Sequence, residues 1–225
     1  ASNHCPAKPR AWVLVPTCNA GPRWTEFLHA LAGQLPAGQS CVVIDSESTD
    51  GTAEQASAAG LKVHRMARSA FNHGGTRQMA VDLYAGDAEV VVFLTQDAVL
   101  AQADAISQLL AAFDDPSVAA AYGRQLPHTD ANPLAAHARL FSYPPQPATR
   151  TLADVSRLGI KTCFLSNAFA AYRLSALREV PSGLKNRGPR PQRGHLLPRR
   201  RQRIGIVNPS EAKRARQVTR LAVDA

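Results

Sequence analysis

No stretch of this chain offers the ~18 consecutive apolar residues that a membrane-spanning helix needs, because Pro, Gly and polar residues interrupt each one. The opening residues, ASNHCPAKPR, contain no apolar run, so no secretory leader is expected there. The four cysteines, Cys5, Cys18, Cys41 and Cys163, lie far apart and form no CxxC pair. That usage predicts buried free thiols in a reducing cytosol, and with it a cytoplasmic location. There is no internal repeat. Acidic residues are scarce in one place: residues 181–225 hold 12 Lys+Arg and 2 Asp+Glu, a net of +10, whereas residues 1–180 hold 14 and 15, a net of −1. The overall charge of +9 therefore belongs to the last fifth of the chain. That segment is rich in Pro, Gly and Arg, lacks apolar periodicity and has no interleaved aromatics, so it is expected to be an irregular, solvated tail. Nucleic acid is not the expected partner, although a grip on nucleic acid or an anionic membrane through this tail stands as the alternative reading.

What is present is a chain of 225 residues, 45% hydrophobic, long enough to bury one core. Strands are predicted at 11–16 (AWVLVP), 40–45 (SCVVID), 61–66 (LKVHRM), 90–95 (VVVFLT) and 117–123 (SVAAAYG). Helix-like segments lie between them: WTEFLHALAGQL, GTAEQASAAG, TRQMAVDLYAG and DAISQLLAAF. Such alternation predicts an α/β fold, a mainly parallel sheet with helices on both faces. From 124 to 162 the pattern loosens into loops around one short helix, LAAHARLF, and at 163–180 a strand runs into a helix. The expected organisation is a domain over 1–180, with the alternating part at 11–123 and the looser part at 124–180, followed by the tail at 181–225.

In an open α/β sheet the ligand sits beyond the carboxyl ends of the strands. The loops there are unusually polar. PTCNAG offers Pro16, Thr17 and Asn19 to a ligand, or makes a plain strand-to-helix turn. In DSESTDGT, Asp50 or Thr52 can cap a helix. Asp45 ends a Val-Val-Ile run, where a carboxylate needs a partner such as a pyrimidine N3–H or a ribose hydroxyl. FNHGGTRQ carries two glycines and a permanent cation, Arg77, at a helix start; it is neither GxGxxG nor a P-loop. His73 there is a phosphate donor or an ordinary loop histidine. Asp97, after the VVVFLT strand, is placed to hold a divalent cation, Mg²⁺ or Mn²⁺, bridging two phosphates; it is too early to cap the helix near 102.

Five pieces, VLVPTCNAG, VVIDSESTDGT, FNHGGTRQMA, VVFLTQDA and CFLSNAFAAYRLSALREV, resemble in order and spacing a family 2 glycosyltransferase of the GT-A fold over residues 11 to about 180. The resemblance implies a donor-binding half at 11–123 and a partial acceptor region at 124–180, and a nucleotide-sugar donor with Pro16, Thr17, Asn19, Asp45 and Glu47 around base and ribose. It places Asn72, Gly74, Gly75 and Arg77 near base and phosphates, adds Thr95 and Gln96 to the donor site, and makes Asp97 the metal ligand. The family's metal motif usually has an Asp two positions earlier, where Thr95 stands here. FNHGGTRQ followed by TQDA is similar to the rhamnosyltransferase branch, which implies a dTDP-sugar donor more than a UDP-sugar. It also implies a saccharide or lipid-linked saccharide acceptor in surface polysaccharide synthesis, by inverting displacement, with peripheral association at the membrane's inner face. After REV the family's EVGGF-like stretch and its Glu-Asp pair are replaced by PSGLKNRGPRP, and the only acids beyond Glu179 are Glu211 and Asp224. A shifted reading frame would produce text of this kind. No catalytic base is assigned, and weak or absent turnover is expected, with nucleotide-sugar binding alone as the alternative.

Overall fold

The computed structural model describes residues 9–35, 40–127 and 131–179, with the backbone of two further strands at 203–207 and 220–223. Four strands make the parallel part of the sheet: β1 (Ala11–Thr17), β2 (Ser40–Asp45), β3 (Lys62–Arg65) and β4 (Val90–Leu94), in the order β3-β2-β1-β4. Their registers, for example Val13 beside Cys41 and Val92, align the carboxyl ends of β1, β2 and β4 along one edge. All five residues of β4 are buried, as a strand covered on both faces must be.

Side chains alternate between two apolar layers. Val13, Val15, Val43, Val92 and Leu94 pack with Trp24, Phe27 and Leu31 of α1 (Trp24–Ala32), Ala56 of α2 (Thr52–Ala58), and Ile106, Leu109 and Leu110 of α4 (Ala105–Ala111). Leu14, Val42, Ile44, Val91 and Phe93 face the other way, against Ala80 of α3 (His73–Ala80) and Leu174 and Leu177 of α7 (Leu174–Glu179). The expected α/β architecture with helices on both faces is what forms.

Beyond β4 the sheet changes direction. β8 (Phe169–Arg173) is antiparallel to β4 and also to β6 (Val118–Leu126), so β6 again runs with β4. The loose region contains α5 (Pro133–Ser142), β7 (Ala148–Arg150) and α6 (Val155–Leu158); Ala148–Arg150 falls within the stretch read as a loop. The short β5 (Ala98–Leu100) was not anticipated either, being only three residues long. The predicted helix over TRQMAVDLYAG starts earlier, at His73, and gives way after Ala80 to a wider π-type turn, Val81–Ala85. Tyr84 on that turn bonds His64 Nδ1 at 2.8 Å and packs on Trp12, so the departure from regular helix serves a tertiary contact.

Within the tail read as irregular, nine residues have strand backbone. β9 (Arg203–Val207) pairs with β6 and β7, and β10 (Arg220–Val223) with β6 and β5. RIGIV and RLAV are short apolar runs, which is the sequence reason they can join a ladder. The rest of the expectation for the tail lies outside the described residues. Among the described cysteines all three are free, but only Cys41 is buried; Cys18 is half-buried and Cys163 exposed, which corrects the expectation that the thiols are buried. Cys18 sits in a strand-end loop and Cys163 in a surface turn, where apolar sequence neighbours do not enforce burial. Cys5 lies outside the described residues. No described helix is long and apolar enough to cross a membrane.

Candidate active site

The loops after β1 and β2 are joined by a series of hydrogen bonds. Ser46 N donates to the Thr17 carbonyl (2.9 Å), Asn19 N to Ser48 Oγ (2.8 Å), Thr49 N to Asn19 Oδ1 (2.8 Å), Ala20 N to Thr52 Oγ1 (2.9 Å) and Gly21 N to Asp50 Oδ2 (3.0 Å). Asn19 and Glu47 hold positive φ, 47° and 54°, a conformation that costs energy outside glycine and persists where the surroundings impose it. The Thr52 hydroxyl, 2.5 Å away, is the main cause holding the Asp50 carboxyl below its usual range, with the Gly21 and Thr52 amides helping.

Asp45 is fully buried at the end of β2, but the partner its burial demands comes from the protein. Thr17 Oγ1 donates to Oδ1 (3.1 Å), Ser48 Oγ donates to the same oxygen (2.5 Å), and Ser48 N donates to Oδ2 (3.0 Å). Glu47 accepts from Arg68 N at 3.0 Å, anchoring the segment that leads to α3. Gln96 is engaged on both sides of its amide: Cys18 N donates to Oε1 at 2.7 Å, and Nε2 donates to the Cys18 carbonyl at 3.2 Å. This side chain locks the β4 loop to the β1 loop.

Asn72 is the N-cap of α3, its Oδ1 accepting from Gly75 N at 2.6 Å. A Cβ on Gly75 would stand 2.7 Å from that side chain, so the glycine makes room for the cap rather than for a ligand. The cap uses the Gly75 amide, and the Thr76 amide bonds the Asn72 carbonyl. The amides of His73 and Gly74 remain as the open donors of the helix start. Arg77, 9% exposed, lies over the Phe93 ring (5.8 Å) and donates from Nη1 to the His73 carbonyl at 2.7 Å. No carboxylate faces it and its buried Nε has no partner; desolvation lowers its pKa, opposed by the Tyr172 hydroxyl. A guanidinium remains charged even so.

Asp97 stands apart from the other acids of these loops. It is exposed and has no hydrogen bond or ion pair among the described residues, whereas Asp45, Glu47 and Asp50 are all engaged. Thr95, two positions earlier, carries a buried hydroxyl without a partner. Among the described residues no group of three or more His, Cys, Asp or Glu is placed to hold a metal. Among the described residues of these loops Asp97 is therefore the carboxylate left free, and a single carboxylate suits only an ion whose remaining ligands are phosphates and water.

The antiparallel β8 brings in residues that strand-end reasoning passes over. Thr95 N donates to the Ala168 carbonyl at 3.1 Å, so the start of β8 lies against the end of β4. Ser166 Oγ accepts from Gln125 Nε2 at 2.7 Å, and Asn167 Oδ1 accepts from Tyr172 Oη at 2.6 Å. The signal was present in the polar pair Ser166-Asn167 just before the FAAYR strand, but a parallel reading puts a strand's start at the far edge.

The family model described as Glycosyl transferase family 2 matches residues 12–181. The O-antigen chain rhamnosyltransferase RfbN of Salmonella typhimurium is 48% identical over 169 residues, 75% of this chain and 54% of that protein. The O-antigen chain rhamnosyltransferase WbaN of Salmonella anatum is 47% identical over 173 residues, 76% and 55% respectively. The chain thus spans about half the length of these curated relatives. Among solved structures, residues 1–349 of S. aureus TarS superpose with a TM-score of 0.63 at 19% identity, covering 96% of this chain and 60% of that one. A mannosyltransferase, PcManGT from Pyrobaculum calidifontis, in complex with GDP-Man and Mn²⁺, gives 0.55 at 21%, covering 77% and 47%. At such identities the likeness is one of fold.

Proposed function

The chain belongs to glycosyl transferase family 2, and from that premise we propose that it binds a nucleotide-activated rhamnose, dTDP-rhamnose in preference to a UDP-sugar, with a divalent cation, Mg²⁺ or Mn²⁺. The sugar goes to a saccharide acceptor, free or lipid-linked, of a surface polysaccharide. The names of the two Salmonella relatives support the sugar and the acceptor class. The GDP-Man and Mn²⁺ of the mannosyltransferase and the UDP bound to TarS support a nucleotide donor and a cation. The structural observation that carries the reading is the free Asp97 beside loops whose other acids are all engaged.

Asp97 would hold the cation, which, when bound, would offset the charge of the departing diphosphate. Pro16, Thr17, Asn19, Asp45 and Glu47 form the platform for base and ribose. Within it Asp45 orients Thr17 and Ser48, and Glu47 fixes the approach of Arg68. The open amides of His73 and Gly74 and the unneutralised charge of Arg77 favour the diphosphate, while Asn72 and Gly75 keep that helix start in shape. Thr95 has a hydroxyl left to give, and Gln96 keeps the β1 and β4 loops in register.

Calorimetry with dTDP, UDP and GDP, each in Mn²⁺ and in EDTA, tests the donor, and chromatography of dTDP-rhamnose consumption tests transfer. Tightest binding of dTDP, strengthened by Mn²⁺, is expected. Equal affinity for UDP or GDP would overturn the donor, and no nucleotide binding at all would overturn the reading.

A further inference from the structure

The start of β8 holds its polar side chains in protein bonds, and one donor is left over. Thr95 N donates to the Ala168 carbonyl at 3.1 Å, and Ala168 N donates to Ser166 Oγ at 3.4 Å. Ser166 Oγ also accepts from Gln125 Nε2 at 2.7 Å, and Gln125, itself buried, accepts from Arg139 of α5. Asn167 lies between these two anchored residues. Its Oδ1 accepts from Tyr172 Oη at 2.6 Å, whereas its Nδ2 has no partner among the described residues. The donor left over is this carboxamide nitrogen, on a half-buried side chain and not sealed from solvent.

The direction of that donor is fixed. A carboxamide accepts at oxygen and donates at nitrogen, so a partner that only its oxygen can serve decides which way it faces. The Tyr172 hydroxyl is such a partner: burial pushes its pKa up, and the nearby Arg77 guanidinium is the main cause opposing this. With a cation attracting its lone pairs, the hydroxyl gives its hydrogen to Asn167 Oδ1, and the amide nitrogen is turned away from the ring. Packing brings the same groups together, since the centroid of the Phe93 ring of β4 lies 5.8 Å from the Arg77 guanidinium and 5.6 Å from the Tyr172 ring centroid.

Asn167 is thus tied through Tyr172 to the surroundings of Arg77, and through Ala168 to Thr95, two residues before Asp97. Arg77 and Asp97 are the groups proposed for the diphosphate and the cation. Charge for the phosphates is supplied there already. A neutral donor of fixed direction adds selectivity instead, and it suits a hydroxyl oxygen of the sugar attached to that diphosphate. We propose that Asn167 Nδ2 donates to a hydroxyl oxygen of the transferred sugar, and that Tyr172 is the residue that positions it. The inference deepens the donor reading and rests on it.

Calorimetry of the full chain in Mn²⁺, with dTDP and with dTDP-rhamnose, separates the sugar from the nucleotide. Asn167→Ala should weaken dTDP-rhamnose by about 5-fold, the size of one neutral hydrogen bond, and leave dTDP within about 2-fold. Tyr172→Phe keeps the ring on Phe93 and removes only the hydroxyl. It should weaken dTDP-rhamnose by a smaller factor, and the double variant should bind no more weakly than Asn167→Ala, because the phenol acts through the amide. Equal loss on both ligands would overturn the inference and place Asn167 at the nucleotide or in the fold. Losses that multiply in the double variant would remove Tyr172 as the positioning residue. A parent that binds dTDP, with Asn167→Ala indistinguishable from it on both ligands, overturns the inference alone; a parent that binds no dTDP overturns the donor reading and this inference together.

Discussion

Two aspartates proposed for the donor site are predicted to fail differently. Asp97→Asn removes a carboxylate that bonds to none of the described residues, so the melting temperature should hold while Mn²⁺-dependent binding of dTDP falls and binding in EDTA does not. Unchanged Mn²⁺-dependent affinity would remove Asp97 from the metal. Asp45→Ala takes the acceptor away from Thr17 Oγ1 and from both donors of Ser48. Nucleoside affinity in EDTA should drop by ~1–3 kcal/mol, and the melting temperature should drop with it. Thymidine titration with parallel thermal melts separates the pair; full affinity with a lowered melting temperature would leave Asp45 a structural role only. The sequence singled out Asp97 as the acid of a polar triplet after a buried strand, and the structure adds that its side chain is exposed. It could not show that Asp45 and Gln96 also spend polar atoms on the β1 loop, because Thr17 and Cys18 lie 28 and 78 residues away from them in the chain.

The elements themselves were readable wherever one face or both were buried: β1, β2 and β4 came out at their predicted positions because Val-rich runs have one place to go. What was missed is short or bound to a distant partner, such as β5 and β7 at three residues each and the antiparallel sense of β8, which no local pattern encodes. The start of α3 was also displaced, because its cap is Asn72, and Asn-His-Gly-Gly looks like loop text until the Asn72–Gly75 bond is seen. That cap makes a prediction at this scale. Gly75→Ala should cost about 1 kcal/mol in urea unfolding by pushing Asn72 off the helix start, as Asn72→Ala should. The double variant should cost less than the two together, because they break one interaction. Strict additivity would show that the glycine serves something other than the cap.

For the molecule as a whole, alkali should be the direction of failure. Burial pushes the Cys41 thiol from 9.0 up to about 12 and the Tyr122 hydroxyl from 10.0 up to about 12. Both groups hold their protons longer folded than unfolded, so the stability tied to them is fully present below pH 9 and is lost as pH rises from there towards 12. Urea unfolding at successive pH values should show this decline, and Cys41→Ala should blunt its onset between pH 9 and 10; a flat profile would mean that Cys41 is reached by solvent. Turnover is expected to be poor in the same molecule. With Glu211 and Asp224 the only acids beyond Glu179, transfer should run ~10²–10⁴-fold below that of a family enzyme with its base in place. Single-turnover consumption of dTDP-rhamnose measures it, and rapid transfer would mean that a base exists among residues not assigned one. The reversal of β8 has a further consequence. Because β6 and β8 are antiparallel neighbours, the 42 residues between Leu126 and Phe169 run out from β6 and return beside it, meeting the sheet on the way only through β7. Heredity can therefore exchange this excursion, α5 included, as a cassette: what the protein meets on that side can diverge between lineages while the four strand-end loops proposed for the nucleotide stay unaltered.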